Sequence, residues 1–580
     1  MEKIKKRLVI LQTKSQALKY YLNYQDKDND LVLPIGPDSM YISQKYNSTI
    51  THLGEFWDES EYKNAKQKSE NKIDILVENL NNYSLKIDYN DFIEIGNYFS
   101  FQLWVIIGQI HYNQFIIQSI FDKLKPNSIL CFEKTKQEIY LDYRPDPDRI
   151  FIDILKTHRS IASLEFKVIK LRESRKKNTN REKILSLIPT FLRTLLRNIR
   201  DNSLIKNKKN AANKLLVIGG AGDWIKLNNY NEFNSLYKLN FAPKLMLCKT
   251  NDFNSKELQE ILYNQITNEN FGALNLTYLI NLINSNLNLF INNLSFVKKN
   301  IATYDAVVTN VFTFPLDLFL AHVASSLNLP VIVWQHGEKG QIFDPTIKST
   351  ELLYASNYFC YADSVKKYFL KLNINSNTRY DVVGSIEKNV SWKNGNSIVY
   401  ATGKWFKTAT PFISKSNPDK RLFDAHNLIL NYLTKYTEKF EVIFRPNNSP
   451  GQNDIPYSFK NIKIDFDTTF TKLLKDAKIV ILDTPATTLV EACSTEVPIF
   501  VLGGRAEYNL DFLQTIKRRV IWKETPEELI VAIENFIQKN EYPSNLLDRD
   551  YLNKYCANSD NNEVLKKVIF SLNKAIIKKI

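Results

Sequence analysis

The sequence is poor in the residues that staple small folds or hold metals, with 5 cysteines, 3 methionines and 6 histidines in 580 positions. Cys131, Cys248, Cys360, Cys493 and Cys556 lie far apart, mostly inside apolar runs, and make no Cys-x-x-Cys or Cys/His spacing. That argues against both a disulfide framework and structural zinc. Long apolar runs are missing as well. A spanning helix needs about 18 or more apolar residues, whereas the best stretch, Phe99 to Phe121, is broken by Gln102, Gln109, His111, Asn113, Gln114 and Gln118. The basic amino terminus is followed only by Leu8 to Leu11 before Gln12, too short for a signal-peptide core. These absences point to a cytoplasmic protein and leave open a peripheral contact with an anionic membrane at the inner face of the cell membrane. No convincing Asp-x-Asp motif stands at a strand end, Asp465-Phe-Asp467 being the nearest. A nucleic-acid partner is not expected either, because the chain has no recognised RNA- or DNA-reading motif and no interleaved arginine and aromatic patches.

What is present is an ordinary globular balance, 44% hydrophobic and 24% charged, in a chain long enough for about two to four domains. The formal charge of +15 comes mainly from lysines spread along the chain. It favours an anionic partner such as a nucleotide sugar, a lipid phosphate or a membrane surface, although an AT-rich coding bias would produce the same excess.

Apolar β-branched runs alternate with helix-periodic segments, the pattern of parallel α/β sheets. They predict strands at Arg7 to Leu11, Leu31 to Ile35, Ser128 to Phe132, Leu164 to Ile169, Lys214 to Ile218, Lys244 to Cys248, Ala306 to Val308, Val331 to Trp334 and Tyr358 to Tyr361. A second set follows at Ser397 to Ala401, Glu441 to Phe444, Ile462 to Ile464, Ala477 to Leu482, Ile499 to Leu502 and Val520 to Trp522. The expected division is an N-terminal α/β subregion over 1–170, a basic linker or amphipathic helix over 171–212, and Rossmann-like, doubly wound domains over 213–390 and 391–580. The last of these includes the C-terminal helices.

In open α/β sheets ligands collect outside the carboxyl ends of the strands, so the loops there carry the functional reading. Val331-Ile-Val-Trp runs into Gln335-His336-Gly337-Glu338, placing a histidine, the side chain suited to proton transfer near neutral pH, in a glycine turn. A structural histidine is the plainer alternative. Asn310 follows another strand and faces the same cleft, and Asp223 follows the Gly219-Gly220-Ala221-Gly222 loop, whose glycines would allow close backbone approach to a ligand. In the second set, Asp483-Thr484-Pro485-Ala486-Thr487-Thr488 ends a strand and opens a helix, where free N–H groups and hydroxyls favour a phosphate. Glu491, two turns along, is placed for ribose hydroxyls, and Arg445 ends a neighbouring strand with a planar guanidinium suited to phosphate oxygens. Lys404 follows the first strand of this set and would meet a phosphate or water equally well. An N-capped helix with Glu491 as a surface charge is the bland reading. Gly503-Gly504-Arg505 adds another strand-end turn with a cation.

At these residues the chain resembles GT-B glycosyltransferases, and more narrowly the bacterial surface-polysaccharide and teichoic-acid glycerophosphotransferase group. Their Trp-His-Gly motif is similar to Trp334-Gln335-His336-Gly337, their Arg-His-Pro motif to Arg445-Pro446 without the histidine, and their Asp-Tyr-Ser-Ser loop to Asp483-Thr-Pro-Ala-Thr-Thr488. The resemblance covers Asp305 to Trp522. It implies a transferase that needs neither metal nor cofactor, moving a sugar from a nucleotide-sugar donor to a surface glycan, lipopolysaccharide or capsule, the acceptor being a glycan or lipid-linked glycan. By it, His336 and Asp483 are catalytic, with His336 as base; Arg445, Thr484, Thr487, Thr488, Glu491 and Lys404 bind the donor; Gln335, Gly337, Glu338, Asn310 and Asp223 lie on the acceptor side. The absent histidine favours a sugar donor over CDP-glycerol. The seven-residue separation of Asp483 and Glu491 is similar to the paired acids of retaining enzymes and leaves stereochemistry open. A nucleotide-sugar 2-epimerase and a non-catalytic basic scaffold remain as alternatives.

Overall fold

The computed structural model describes residues 7–46, 49–87, 92–134, 147–158, 164–171, 213–241, 255–266, 276–312, 314–337, 339–342, 346–386, 390, 392–403, 418–447, 459–504, 506–542, 545–556 and 560–577. The linker expected over 171–212 and the strand expected at Lys244 to Cys248 lie outside the described residues, apart from Leu171. Within them, strands pair in parallel throughout and form three sheets.

The first sheet holds β1 (Arg7–Leu11), β2 (Asp30–Pro34), β3 (Ser128–Lys134) and β4 (Glu165–Leu171), in the order β2-β1-β3-β4. The second holds β5 (Asn213–Val217), β6 (Tyr237–Phe241), β7 (Ala306–Thr309), β8 (Val331–Trp334), β9 (Asn357–Cys360) and β10 (Arg379–Val382), in the order β10-β9-β8-β7-β5-β6. The third holds β11 (Ser397–Ala401), β12 (Glu441–Arg445), β13 (Lys463–Ile464), β14 (Ala477–Leu482), β15 (Ile499–Leu502) and β16 (Ile521–Lys523), in the order β13-β12-β11-β14-β15-β16. Counted from its own first strand, the third sheet reads 3-2-1-4-5-6, the doubly wound Rossmann order. The architecture is therefore α/β with two Rossmann-like domains and an added N-terminal sheet.

The continuous apolar runs arise because both faces of each central strand are covered. Along β8, Val331 and Val333 enter one core with Leu216 and Val307, while Ile332 and Trp334 enter the opposite core with Leu215, Val217 and Val308. In the third sheet Val399 and Val480 point one way and Ile398 and Ile479 the other. The period-2 alternation of a strand thus feeds two layers at once. One continuous core receives a face from every sheet, including Leu8 and Ile10 of the first.

Phe99 to Phe121 lies within the helix Ile95–Leu124, which packs along the helix Glu59–Ile87. Gln102, Gln109, His111 and Asn113 are buried against protein, His111 Nδ1 meeting Ser69 Oγ at 2.8 Å, while Gln114 is half-buried and Gln118 exposed. Among the described residues no helix is long and apolar enough to cross a membrane.

The last helix, Asn561–Ile577, departs from the expected division. Sequence groups it with residues 391–580, yet Val564, Leu565, Val568 and Leu572 pack on the second sheet with Leu215, Val217 and Leu239. Tyr237 Oη donates to Asn573 Oδ1 at 2.6 Å and fixes the helix beside β6. The chain therefore crosses back from the third sheet to the second, because the buried stripe of this helix completes the face over β5 and β6.

Candidate functional site

In each Rossmann-like sheet the strand order reverses at one place, between β5 and β7 in the second and between β11 and β14 in the third. These switch points open crevices at the carboxyl ends of the strands. In the third sheet the crevice is floored by Asp483. Its Oδ1 accepts the Gly403 N–H at 2.6 Å and the Thr484 hydroxyl at 3.1 Å, and its Oδ2 meets His426 Nε2 at 2.6 Å. The Asp483 residue is 1% exposed and His426 0%. Asp483 is expected from sequence as a catalytic acid, but with both oxygens engaged and no open surface it acts instead as a positioning group. It ties the ends of β11 and β14 to the helix Pro418–Leu433. The Thr484 hydroxyl proton is directed inward to the same carboxylate, which leaves Thr487 and Thr488 as the hydroxyls of this loop nearest the helix start.

Arg445, the last residue of β12, is half-buried, and its Nε donates to the Thr468 carbonyl at 3.1 Å. Burial lowers its pKa, while the nearby Asp465 and Glu491 carboxylates act to raise it. Glu491 Oε2 accepts the Thr471 hydroxyl at 3.3 Å. A guanidinium whose other N–H groups take no partner among the described residues, partly withdrawn from water and beside a carboxylate, suits a ligand carrying both phosphate oxygens and hydroxyls. Thr487 is exposed and Thr488 half-buried at the start of the helix Thr487–Cys493. Lys404 and Arg505 lie outside the described residues. The cation that does meet the Gly503-Gly504 turn is Arg421, which donates to the carbonyls of Gly503 at 2.6 Å and of Gly504 and Glu524. Gly504 has φ +74°, the left-handed conformation that this clamp requires and that glycine adopts without strain.

In the second sheet β8 delivers Gln335 into the core and His336 to the surface. Gln335 is buried; its amide donates to the Gly337 carbonyl at 2.9 Å and its Oε1 accepts the Tyr361 N–H at 2.8 Å. Gly337 takes φ +68°, so the turn reverses directly after His336 and leaves the imidazole exposed. Behind it the Glu351 carboxylate, fully buried, accepts the Tyr358 hydroxyl at 2.5 Å and pairs with Lys339 at 2.9 Å. Glu338 lies outside the described residues.

Asn310 and Asp223 are brought together as the sequence reading requires of one cleft. Asn310 Nδ2 donates to Asp223 Oδ2 at 3.1 Å and to the Trp334 carbonyl at 3.0 Å, and Asn310 Oδ1 accepts the Asp223 N–H at 3.2 Å. Tyr361 adds a hydroxyl to Asp223 Oδ2 at 3.1 Å, and Lys226 pairs with Oδ1 at 2.6 Å. This network crosses the ends of β5, β7, β8 and β9. The glycine loop before it does a different job from the expected ligand approach. Gly219, at φ +58°, lies where an added Cβ would come within 2.4 Å of the Val311 carbonyl, so the close approach is to the chain's own backbone.

The two sets of loops touch. Ile342 pairs as an antiparallel bridge with Tyr508, Asn509 N donates to the Gln341 carbonyl at 2.8 Å, and Gln341 Nε2 donates to Tyr551 Oη at 3.1 Å. The segment leaving β8 beyond His336 is therefore anchored on the segment leaving β15. Among the described residues no group of three or more His, Cys, Asp or Glu side chains is arranged to hold a metal ion. Sequence reading passed over His426 and Arg421, since neither stands in a local motif; the only trace of Arg421 is the glycine pair it clamps.

No protein-family model and no curated protein matches the chain. Among solved structures it is similar to TarM, at 12% identity and a TM-score of 0.35, over 50% of this chain and 60% of that one. It is also similar to the spinosyn forosaminyltransferase SpnP, at 10% identity and a TM-score of 0.35, over 62% of this chain and 99% of that one. A third likeness is to the wall teichoic acid polymerase TagF, at 10% identity and a TM-score of 0.35, over 70% of this chain and 99% of that one. The aligned part thus spans 60% of the length of TarM. Likenesses of this degree do not bear on chemistry, and the fold rests on the strand orders of this chain itself.

Proposed function

We propose that the chain is a metal-independent transferase of the GT-B type that moves a sugar from a nucleotide-sugar donor to a glycan or lipid-linked glycan acceptor of the bacterial surface. The observation that carries this reading is the contact between the strand-end loops of the two Rossmann-like sheets, which sets the His336 loop against the domain of Arg445 and Glu491.

In that arrangement the donor diphosphate lies at Arg445, Thr487 and Thr488, with its ribose hydroxyls at Glu491. The exposed His336 imidazole takes the acceptor hydroxyl proton as that oxygen forms its bond to the anomeric carbon. The bond from that carbon to the diphosphate oxygen breaks, and the electron pair leaves with the nucleoside diphosphate, stabilised by the guanidinium and fixed donors. Double displacement through Asp483 has no free carboxylate oxygen to begin from, so single displacement is the favoured course. The test is incubation of the full chain with a panel of nucleotide sugars and CDP-glycerol, together with glycan acceptors, following release of the free nucleotide. Acceptor-dependent release from one nucleotide sugar, lost in His336→Ala, is expected; release only from CDP-glycerol, or from none, would contradict the reading.

A further inference from the structure

The helix Asn561–Ile577 turns one stripe inward and another outward. Val564, Leu565, Val568, Leu572 and Ala575 are buried on the second sheet. At about 100° per residue, the opposite face carries Phe570 and Ile577 along its centre, with Lys566 on one side and Lys567 and Lys574 on the other. Phe570 is 67% exposed and Ile577 63%. The three lysines are exposed and have no ion-pair partner among the described residues. The acidic residues near this face, Asp560 and Glu563, lie at the N-terminal end of the helix, so its last turns carry no acidic group.

We propose that this face docks on the surface of an anionic lipid bilayer. Phe570 and Ile577 enter the boundary between headgroups and acyl chains, and the lysines extend their stems along the apolar side chains to reach headgroup phosphates. Charge selects this occupant. A second copy of the chain, docking the same face by two-fold symmetry, would set the unpaired lysines against one another. Two apolar side chains are also far short of the roughly 800 Å² per partner of a stable protein interface. The net charge of +15 adds a long-range attraction of the same sign. Because the helix is built into the second sheet, the bilayer holds the domain that carries His336. The inference goes beyond the transferase reading and stands without it.

The test is flotation of the full chain with vesicles of phosphatidylcholine alone and with vesicles containing phosphatidylglycerol. Binding to the anionic vesicles is expected, weakened about tenfold or more in Phe570→Ser/Ile577→Ser and in Lys566→Glu/Lys567→Glu/Lys574→Glu. All five positions are exposed, so the thermal midpoint of each variant should match that of the parent. Three results would overturn the proposal: no binding to anionic vesicles, equal binding of parent and variants, or a dimer of the parent that Phe570→Ser/Ile577→Ser dissociates.

Discussion

His336 and His426 are both histidines at strand-end crevices, and their surroundings leave one exposed and the other sealed. His336 is exposed on a turn held from behind by buried Gln335 and Glu351, so its ring is free to meet a substrate. His336→Ala should therefore change unfolding free energy by less than about 0.5 kcal/mol while lowering turnover about 10²- to 10⁴-fold; urea denaturation and initial rates separate the two effects. His426 is sealed against Asp483. His426→Ala leaves a buried carboxylate short of a donor and should cost about 3–5 kcal/mol of stability, visible as a lower urea midpoint. A variant as stable as the parent would show that Asp483 does not depend on this partner. Arg445→Lys keeps the charge and loses the planar fork, so it should weaken nucleotide binding about tenfold with little change in stability. Nothing near position 426 in the sequence announces its role, because its partner lies 57 positions away and the pair forms only when helix meets strand.

Among elements, the two strands that sequence reading missed both lie at sheet edges, although the edge strands β2, β4, β13 and β16 were found. β8, β14 and β15 are central strands, apolar on both faces, and their uninterrupted runs are plain in the sequence. β6, Tyr-Lys-Leu-Asn-Phe, and β10, Arg-Tyr-Asp-Val, are the two edges of the second sheet. In both, polar residues alternate with apolar ones, so neither made an apolar run long enough to stand out. Helix contacts between domains were equally silent. The helix Ile95–Leu124 meets the helix Pro315–Ser326 through Tyr98, whose hydroxyl lies 2.7 Å from His322 Nδ1. The His322 ring is stacked between Phe92 and Tyr354, with Glu94 and Lys298 also acting on it. Burial holds its pKa below the ordinary 6.5, Lys298 lowers it further and Glu94 opposes them. The unfolded chain then binds more protons than the folded one just below pH 6.5, so stability present above that value is lost as pH falls through the lowered folded value. Unfolding midpoints measured across this window should fall with acidity, and His322→Phe should flatten that dependence; an unchanged slope would show that His322 does not govern it.

Across the whole molecule, three parallel sheets share one core, and the chain crosses from the third sheet back to the second in its last helix. Sequence patterns located the Rossmann-like pair and the loops at their carboxyl ends because buried parallel strands and the turns after them are local features. They did not reveal that Asp483 would be closed off by His426 or that the last helix would return, because both depend on contacts between distant segments. What unites the molecule is the meeting of the His336 loop with the domain of Arg445 and Glu491. Calorimetric titration of the full chain with nucleoside diphosphates and CDP-glycerol, repeated with Arg445→Ala, tests the donor site on which the transferase reading depends. One site per chain with a preference for one base is expected, with binding about tenfold or more weaker in the variant. Binding of no nucleotide, or equal binding by Arg445→Ala, would contradict that reading.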